Sequence, residues 1–323
     1  MAHLPEIRTN VARPFLKVGI DYAGPLPVRA FAGRGHQSRK AYIALFVCLI
    51  TRAVHIELVT DLSSAAFIAA FRRFCSRRGI PAIVLSDNGT NFRGAQTELY
   101  RMFHASMCDG AVESSMASLG IEWHFIPASA PHFGGIWEAG LKSVKHHLKR
   151  IVGIHTLTIA ELETLLCQVE ACLNSRPIAG LSNSPDDLSY LTPGHFLTGA
   201  PLLALPDASL LDRQESRLTR YQLVQQMRDR FWQVWRLDFL NSLQKRNKWH
   251  NQCANISVGD IVILKNDNAP PSRWELGRIT QCFQGEDGLI RVCEVRTATS
   301  TFRRPIHKLC LLPIADRDEE DHD

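Results

Sequence analysis

Three carboxylates stand at the borders of regular segments in this chain of 323 residues. Asp21 closes the run FLKVGID and precedes a Gly-Pro pair, Asp87 closes AIVLSD ahead of Asn88 and Gly89, and Glu138 follows PHFGG where a helical pattern opens. Ligand sites in α/β proteins gather at the carboxyl ends of strands, so acids from two strand ends and one helix start can converge on a hard cation. Carboxylates without a His or Cys set suit Mg²⁺ or Mn²⁺ rather than zinc. Each acid has a plainer role open to it: Asp21 and Asp87 as turn residues, Glu138 as a complement to the helix macrodipole. The apolar runs leading into both aspartates favour a site, because a charge at the edge of a core is costly without a partner.

A second pattern continues from the third acid. Glu138, Lys142, Lys145 and Lys149 step by four, three and four, which is one face of a helix. A stripe that begins with a carboxylate and continues with three ammonium groups suits phosphoryl transfer on nucleic acid. The plainer alternative is a solvated basic face with a Glu–Lys pair one turn apart.

The elements that must hold these residues are legible as an α/β pattern. Strands are expected at 15–21, running into a YAGPLP turn, and at 41–50, 53–59, 82–89 and 121–126, with a hairpin loop at 29–40. A helix is expected at 63–79, with Ser63 as N-cap and Gly79 as its stop, a weaker one near 92–105, and longer ones at 136–152, 158–175 and about 215–248. The interval 177–214 reads as mostly irregular, and past residue 255 only short β-type segments follow, the spacing of a small barrel.

Composition narrows the class. Apolar residues at 45% and charged residues at 21% exclude wholesale disorder. The longest apolar run, AYIALFVCLI, is far short of the roughly 20 residues a membrane helix needs, so no membrane partner is expected. No secretory signal opens the chain, which points to an intracellular protein. Nine cysteines without a CxxC pair predict reduced, mostly buried thiols, with neither a disulfide framework nor a zinc site. The net charge of +5 hides an asymmetry, since residues 316–323 hold six acids and one Arg, leaving +10 on the body. A basic body makes a polyanion partner plausible.

Taken together, VGIDYAGPL (18–26), VLSDNGTNF (84–92), PASAPHFGGIWEAGLKSVK (127–145), NSRPI (174–178) and LTPGHFLTGAPL (191–202) resemble the catalytic core of retrotransposon integrases of the Bel/Pao group. WELGRI (274–279) and RRPIHKLCLLP (303–313) resemble the β module that follows that core. The resemblance implies a ribonuclease-H-like mixed sheet flanked by helices, then a helical connector and a small β-barrel module. With the segment pattern and charge along the chain, this gives an expected domain order of linker 1–14, core 15–205, connector 206–254, module 255–315 and acidic tail 316–323. It further implies catalytic and metal-binding roles for Asp21, Asp87 and Glu138 with two Mg²⁺ or Mn²⁺ ions, and 3′-end processing followed by strand transfer into target DNA. Lys142 and Lys145 match positions that grip the DNA end, with Lys149 one turn further along the same stripe. Asn88 and Asn91 match supporting positions, and His132, Gly134 and Gly135 lie in the loop beside the site, the glycines as hinges. DNA, a homo-oligomer on DNA and a nuclear location follow as expectations. The family's amino-terminal His-His-Cys-Cys domain has no counterpart here, which suggests a polyprotein fragment or a host-domesticated remnant. A binding module with an unused site, or a nuclease that cleaves without joining, are the alternatives.

The carboxyl-terminal third is basic. Residues 217–250 carry eight Lys or Arg and two Asp, interspersed with Phe231, Trp232, Trp235, Phe239 and Trp249. Either a DNA-contacting helix or a connector packing its aromatics fits this pattern. Lys265, Arg273, Arg278, Arg291, Arg296, Arg303, Arg304 and Lys308 make the β module a candidate for contacts to DNA phosphates without base reading.

Overall fold

The computed structural model describes residues 11–31, 33, 37–87, 91–98, 120–125, 144–153, 155–181, 187–244, 256–266, 269–285 and 290–312. They fall into two compact units, Met1–Leu173 with Ser209–Phe231, and Asn174–Ala208 with Trp232–Asp323.

In the first unit, β1 (Lys17–Arg29), β2 (Arg39–Cys48) and β3 (Val54–Val59) form an antiparallel meander. β4 (Ile83–Ser86) runs parallel to β1, and β5 (Glu122–Phe125) parallel to β4, so the order is β3-β2-β1-β4-β5. Three antiparallel strands followed by two parallel ones make a ribonuclease-H-like mixed sheet. Helices flank it. β6 (Leu157–Thr158) adds a short parallel pairing at the far end of β1.

One expectation is corrected in β1. Asp21 does not end the strand before a turn; β1 continues through Gly24 and Pro25 to Arg29. The register with β2 shifts between Ala23 and Leu26, so the Gly-Pro pair sits in a bulge and the ladder resumes beyond it. Gly24 has φ +123°, a region closed to ordinary side chains, and a Cβ there would stand 3.1 Å from the Ala41 carbonyl oxygen.

α1 (Ser64–Arg78) forms as the sequence predicts: the Ser63 hydroxyl accepts from the Ala66 N–H at 3.1 Å, and Gly79 closes the helix with its N–H on the Cys75 carbonyl. Its apolar stripe of Phe67, Phe71 and Phe74 packs on Phe46 of β2, where Phe74 stacks with ring centroids 4.4 Å apart. α2 (Ile159–Asn174) opens on a capping box in which Thr158 and Glu161 exchange backbone N–H and side-chain oxygen at 2.7 and 3.2 Å. Arg220 then pairs with the Glu161 carboxylate, its Nε donating at 2.8 Å.

β3 is buried on both faces. Its two polar residues explain this. His55 lies between Glu57 at 3.0 Å and Glu170 of α2 at 3.3 Å, while Arg73, Arg77 and Arg78 of α1 close on those carboxylates. Buried charges persist where each is paired. Burial works against the His55 proton, yet hydrogen bonds that Glu170 and Glu57 accept from its ring raise its pKa above the ordinary value. Glu170 also accepts from the Ile56 N–H at 2.8 Å, and Arg73 donates to the Leu58 carbonyl at 2.9 Å.

The second unit holds β7 (Ala179–Gly180) paired with β8 (Tyr190–Leu191), and β9 (Ile261–Leu264), β10 (Leu276–Gln284), β11 (Ile290–Thr297), β12 (Thr301–Pro305) and β13 (Leu309–Leu311). The latter five form an antiparallel sheet in the order β12-β11-β10-β9-β13 around Val262, Ile279, Cys293, Val295 and Leu309. Among the described residues no pairing of β12 with β13 closes it into a barrel. The units divide differently from the expected domains: residues 174–205, expected in the core, cluster with the β module. Trp274 supplies one physical reason, its indole N–H reaching the Ser175 hydroxyl at 3.2 Å.

α3 (Arg220–Leu243) contributes to both units. Phe231, Trp232 and Trp235 are buried, and Trp232 and Phe239 both meet Trp274 edge-on with centroids 5.0 and 5.3 Å apart. Of the two readings of this helix, packing of its aromatics is the one observed; Trp249 lies outside the described residues. The described cysteines are all free thiols, with Cys48, Cys172, Cys293 and Cys310 buried. Among the described residues no helix is long and apolar enough to cross a membrane.

Candidate active site

Asp21 lies on the central strand of the sheet. Parallel pairing of β1 with β4 runs Lys17↔Ile83, Val18↔Val84, Gly19↔Leu85, Ile20↔Ser86. One further step on each strand brings Asp21 level with Asp87, the first residue beyond β4. Neighbouring strands are about 4.8 Å apart, so the two carboxylates leave adjacent strands at the same level. Asp87 is exposed and Asp21 partly so, with 23% of its side chain open to solvent.

Each aspartate is held by local structure. Asp21 Oδ1 accepts the Tyr22 N–H at 2.7 Å. Tyr22 is in turn wedged by rings: it stacks on Phe92 at 5.2 Å and meets Phe67 edge-on at 6.2 Å. Burial pushes the Tyr22 phenol up to about 12, with the Asn91 side chain opposing the rise. Asn91 opens the helical stretch 91–98 and Phe92 is buried, so this helix start is pinned against the strand that carries Asp21. At Asp87 the work is done by Ser86, fully buried, whose hydroxyl donates to the Asp87 carbonyl at 3.0 Å and accepts the Trp123 indole N–H of β5 at 2.9 Å.

Lys145 belongs to the helical stretch 144–152, which is anchored by buried Val144, Leu148 and Val152. Its ammonium donates to Asp21 Oδ2. Lys149, one turn on, is exposed. Asp21, Asp87 and Lys145 are thus the predicted residues that the fold brings together. Glu138, Lys142, Asn88, His132, Gly134 and Gly135 lie outside the described residues.

Sequence reasoning missed Tyr22, Ser86 and Trp123. A serine directly before the acid at the end of an apolar strand was a signal for Ser86; nothing local pairs it with Trp123.

Two carboxylates at one level of a sheet are a hard-oxygen donor pair, which fits Mg²⁺ or Mn²⁺. The ammonium already drawn to Asp21 shows that this oxygen attracts a cation. Among the described residues no group of three or more His, Cys, Asp or Glu side chains could hold a metal ion.

The second unit carries its own basic surfaces. A cavity of about 580 Å³ is lined by Lys265, Arg304, His307 and Lys308 with Glu275 as its acid. Arg303 and Arg304 of β12 each lie over a ring, Phe283 at 4.7 Å and Phe302 at 4.8 Å.

Residues 219–312 match a family of unknown function (DUF5641). No curated protein matches the chain. Among solved structures, a chain of the cryo-EM structure of a simian T-cell lymphotropic virus intasome in complex with PP2A regulatory subunit B56 gamma aligns at 12% identity, covering 98% of this chain and 85% of that one, with a TM-score of 0.36. The HTLV-2 integrase catalytic core domain in complex with magnesium aligns in its dimeric form at 16% identity, over 50% of this chain and 88% of that one (TM-score 0.32). Its trimeric form aligns at 15%, over 57% and 97% (TM-score 0.33). The strand order and register, not these superpositions, carry the fold assignment.

Proposed function

We propose that this chain is a retroelement integrase of the Bel/Pao type, a metal-dependent polynucleotidyl transferase that processes DNA 3′ ends and joins them to target DNA. The observation that carries this reading is the level pairing of Asp21 and Asp87 on parallel neighbours β1 and β4, with a lysine ammonium alongside. Asp21 and Asp87 would hold the divalent metal, Glu138 completing the set in the sequence pattern. When bound, the metal supplies Lewis-acid polarisation at the phosphorus under attack.

The chain's own residues have the remaining tasks. Tyr22 orients Asp21 through its backbone N–H, so that carboxylate is aimed by the strand that bears it. Ser86 and Trp123 fix where the chain leaves β4 and hence the level of Asp87. Lys145 and Lys149 offer ammonium groups to the phosphates of a DNA end. In the β module, Arg303, Arg304, Lys265 and Lys308 provide sequence-independent phosphate contacts. A homo-oligomer assembled on DNA and a nuclear site of action complete the proposal.

The deciding experiment joins element-end oligonucleotides to plasmid DNA in Mg²⁺ or Mn²⁺, with Asp87→Asn as control. Joining that the substitution abolishes, with salt-sensitive DNA binding retained, supports the reading. Equal joining by the variant overturns it. Cleavage without joining identifies a nuclease, and DNA binding without turnover by the folded wild type identifies a binding module with an unused site.

A further inference from the structure

We infer that Lys145 is a displaceable stand-in for the cation at Asp21: metal loading expels its ammonium to a DNA phosphate, so metal and DNA bind cooperatively. This rests on the reading of Asp21 as a metal ligand.

The geometry behind it is specific. Asp21 Oδ1 is committed to the Tyr22 N–H, and Oδ2 is taken by an ammonium from a residue 124 positions away. That pairing is a tertiary contact, made because Val144, Leu148 and Val152 dock the 144–152 helix and leave Lys145 facing the sheet. A dication that takes Oδ2 meets the ammonium as a rival for the same lone pairs and as a like charge. Repulsion between the two cations at such short range weakens the ammonium's hold on that oxygen.

Release is open to the lysine. Its side chain is 29% exposed, and a flexible four-carbon stem lets the ammonium swing while the helix stays docked. Once free of Asp21, Lys145 stands one turn from exposed Lys149, and like charges at that spacing repel. A phosphate bridging them removes the repulsion. The ion pair therefore stores no more than a choice: with Asp21 metal-free the ammonium neutralises the carboxylate, and with Asp21 metal-bound it is presented to DNA. Linkage requires reciprocity, so DNA that engages Lys145 must tighten metal binding by the factor with which metal tightens DNA binding.

The test is calorimetric titration of the full chain with Mn²⁺, with and without a short DNA duplex, for wild type, Lys145→Gln and Asp21→Asn. Lys145→Gln is expected to bind Mn²⁺ about tenfold more tightly than wild type, the size of an ordinary coupling. The duplex is expected to tighten Mn²⁺ binding by wild type and to leave Lys145→Gln unchanged. Equal or weaker Mn²⁺ binding by Lys145→Gln, while Asp21→Asn loses it, overturns the exchange and leaves the functional reading standing. Equal binding by wild type and Asp21→Asn removes Asp21 as a ligand, and both proposals go. Should Lys145→Gln not fold, Lys145→Met keeps the alkyl stem and carries the same comparison.

Discussion

The Trp123 indole of β5 donates to the Ser86 hydroxyl at the end of β4 across 2.9 Å, and both side chains are buried. One hydroxyl thereby ties two strands together and fixes the carbonyl of the residue that carries the second aspartate. Removing it leaves a buried indole N–H and a carbonyl without this partner. Ser86→Ala should lower stability by about 1–3 kcal/mol, the cost of stranding buried polar groups. Urea unfolding measures that loss; on the proposed function, joining activity should fall further than DNA binding because Asp87 loses its fixed level.

The cluster around His55 should make stability depend on pH in one direction. The folded pKa of His55 is raised by its hydrogen bonds to Glu170 and Glu57, against the opposing effect of burial. A raised folded value means its contribution is complete below the unfolded value of about 6.5 and fades as pH climbs through the folded one. His55→Gln should flatten this fall. Thermal unfolding of the two proteins from pH 6 upward provides the check, and parallel profiles would contradict it.

Glu161 behaves in the opposite sense. Arg220 holds its carboxyl down to about 2, helped by the Thr158 backbone and hydroxyl despite some burial. A depressed folded value means the contribution is present above the ordinary carboxylate range and is lost as acid carries pH down toward 2. Glu161→Gln should cost about 1–2 kcal/mol at neutral pH through the lost charge-assisted hydrogen bonds to Arg220, while its amide oxygen can still close the capping box. Its unfolding profile should be less sensitive to acid than that of the wild type.

Gly24 permits the bulge that follows Asp21 and Tyr22. At φ +123° a side chain is strained whatever the space, and a Cβ would also crowd the Ala41 carbonyl and the Tyr42 ring. Gly24→Ala should destabilise by about 1–3 kcal/mol. Chemical denaturation reads this directly, and a neutral result would show that the bulge relaxes.

On the proposed function, Arg304 of β12 contacts phosphate. Arg304→Ala should weaken duplex binding alike for unrelated sequences and reduce the slope of log affinity against log salt by about 1. An unchanged slope would take Arg304 out of the interface.

Much of this was legible in the chain. Ser63 and Gly79 bracket α1 because capping is local chemistry, and the apolar run ahead of Asp87 marks β4, with Val84 and Ser86 buried on one face and Ile83 and Leu85 half-buried on the other. Gly24-Pro25 misled because the pair has the composition of a turn; only the Ala41–Ile43 partners of β2 reveal a bulge inside a continuing strand. β3 could not be read as wholly buried, since its His55 and Glu57 are paid for by arginines of α1 and a glutamate of α2 more than 100 residues away. Lys145 was placed on a basic stripe, but its choice of Asp21 is a tertiary contact that spacing does not disclose.

Glu170 of α2 and Arg73 of α1 also cap the outer edge of β3. β3 ends the sheet among the described strands, and such a margin ordinarily offers unmet N–H and C=O groups to any passing chain. Here the Ile56 N–H and the Leu58 carbonyl are already claimed by side chains. Those two groups are therefore closed to a foreign β-segment, which blunts this margin as a template for strand addition.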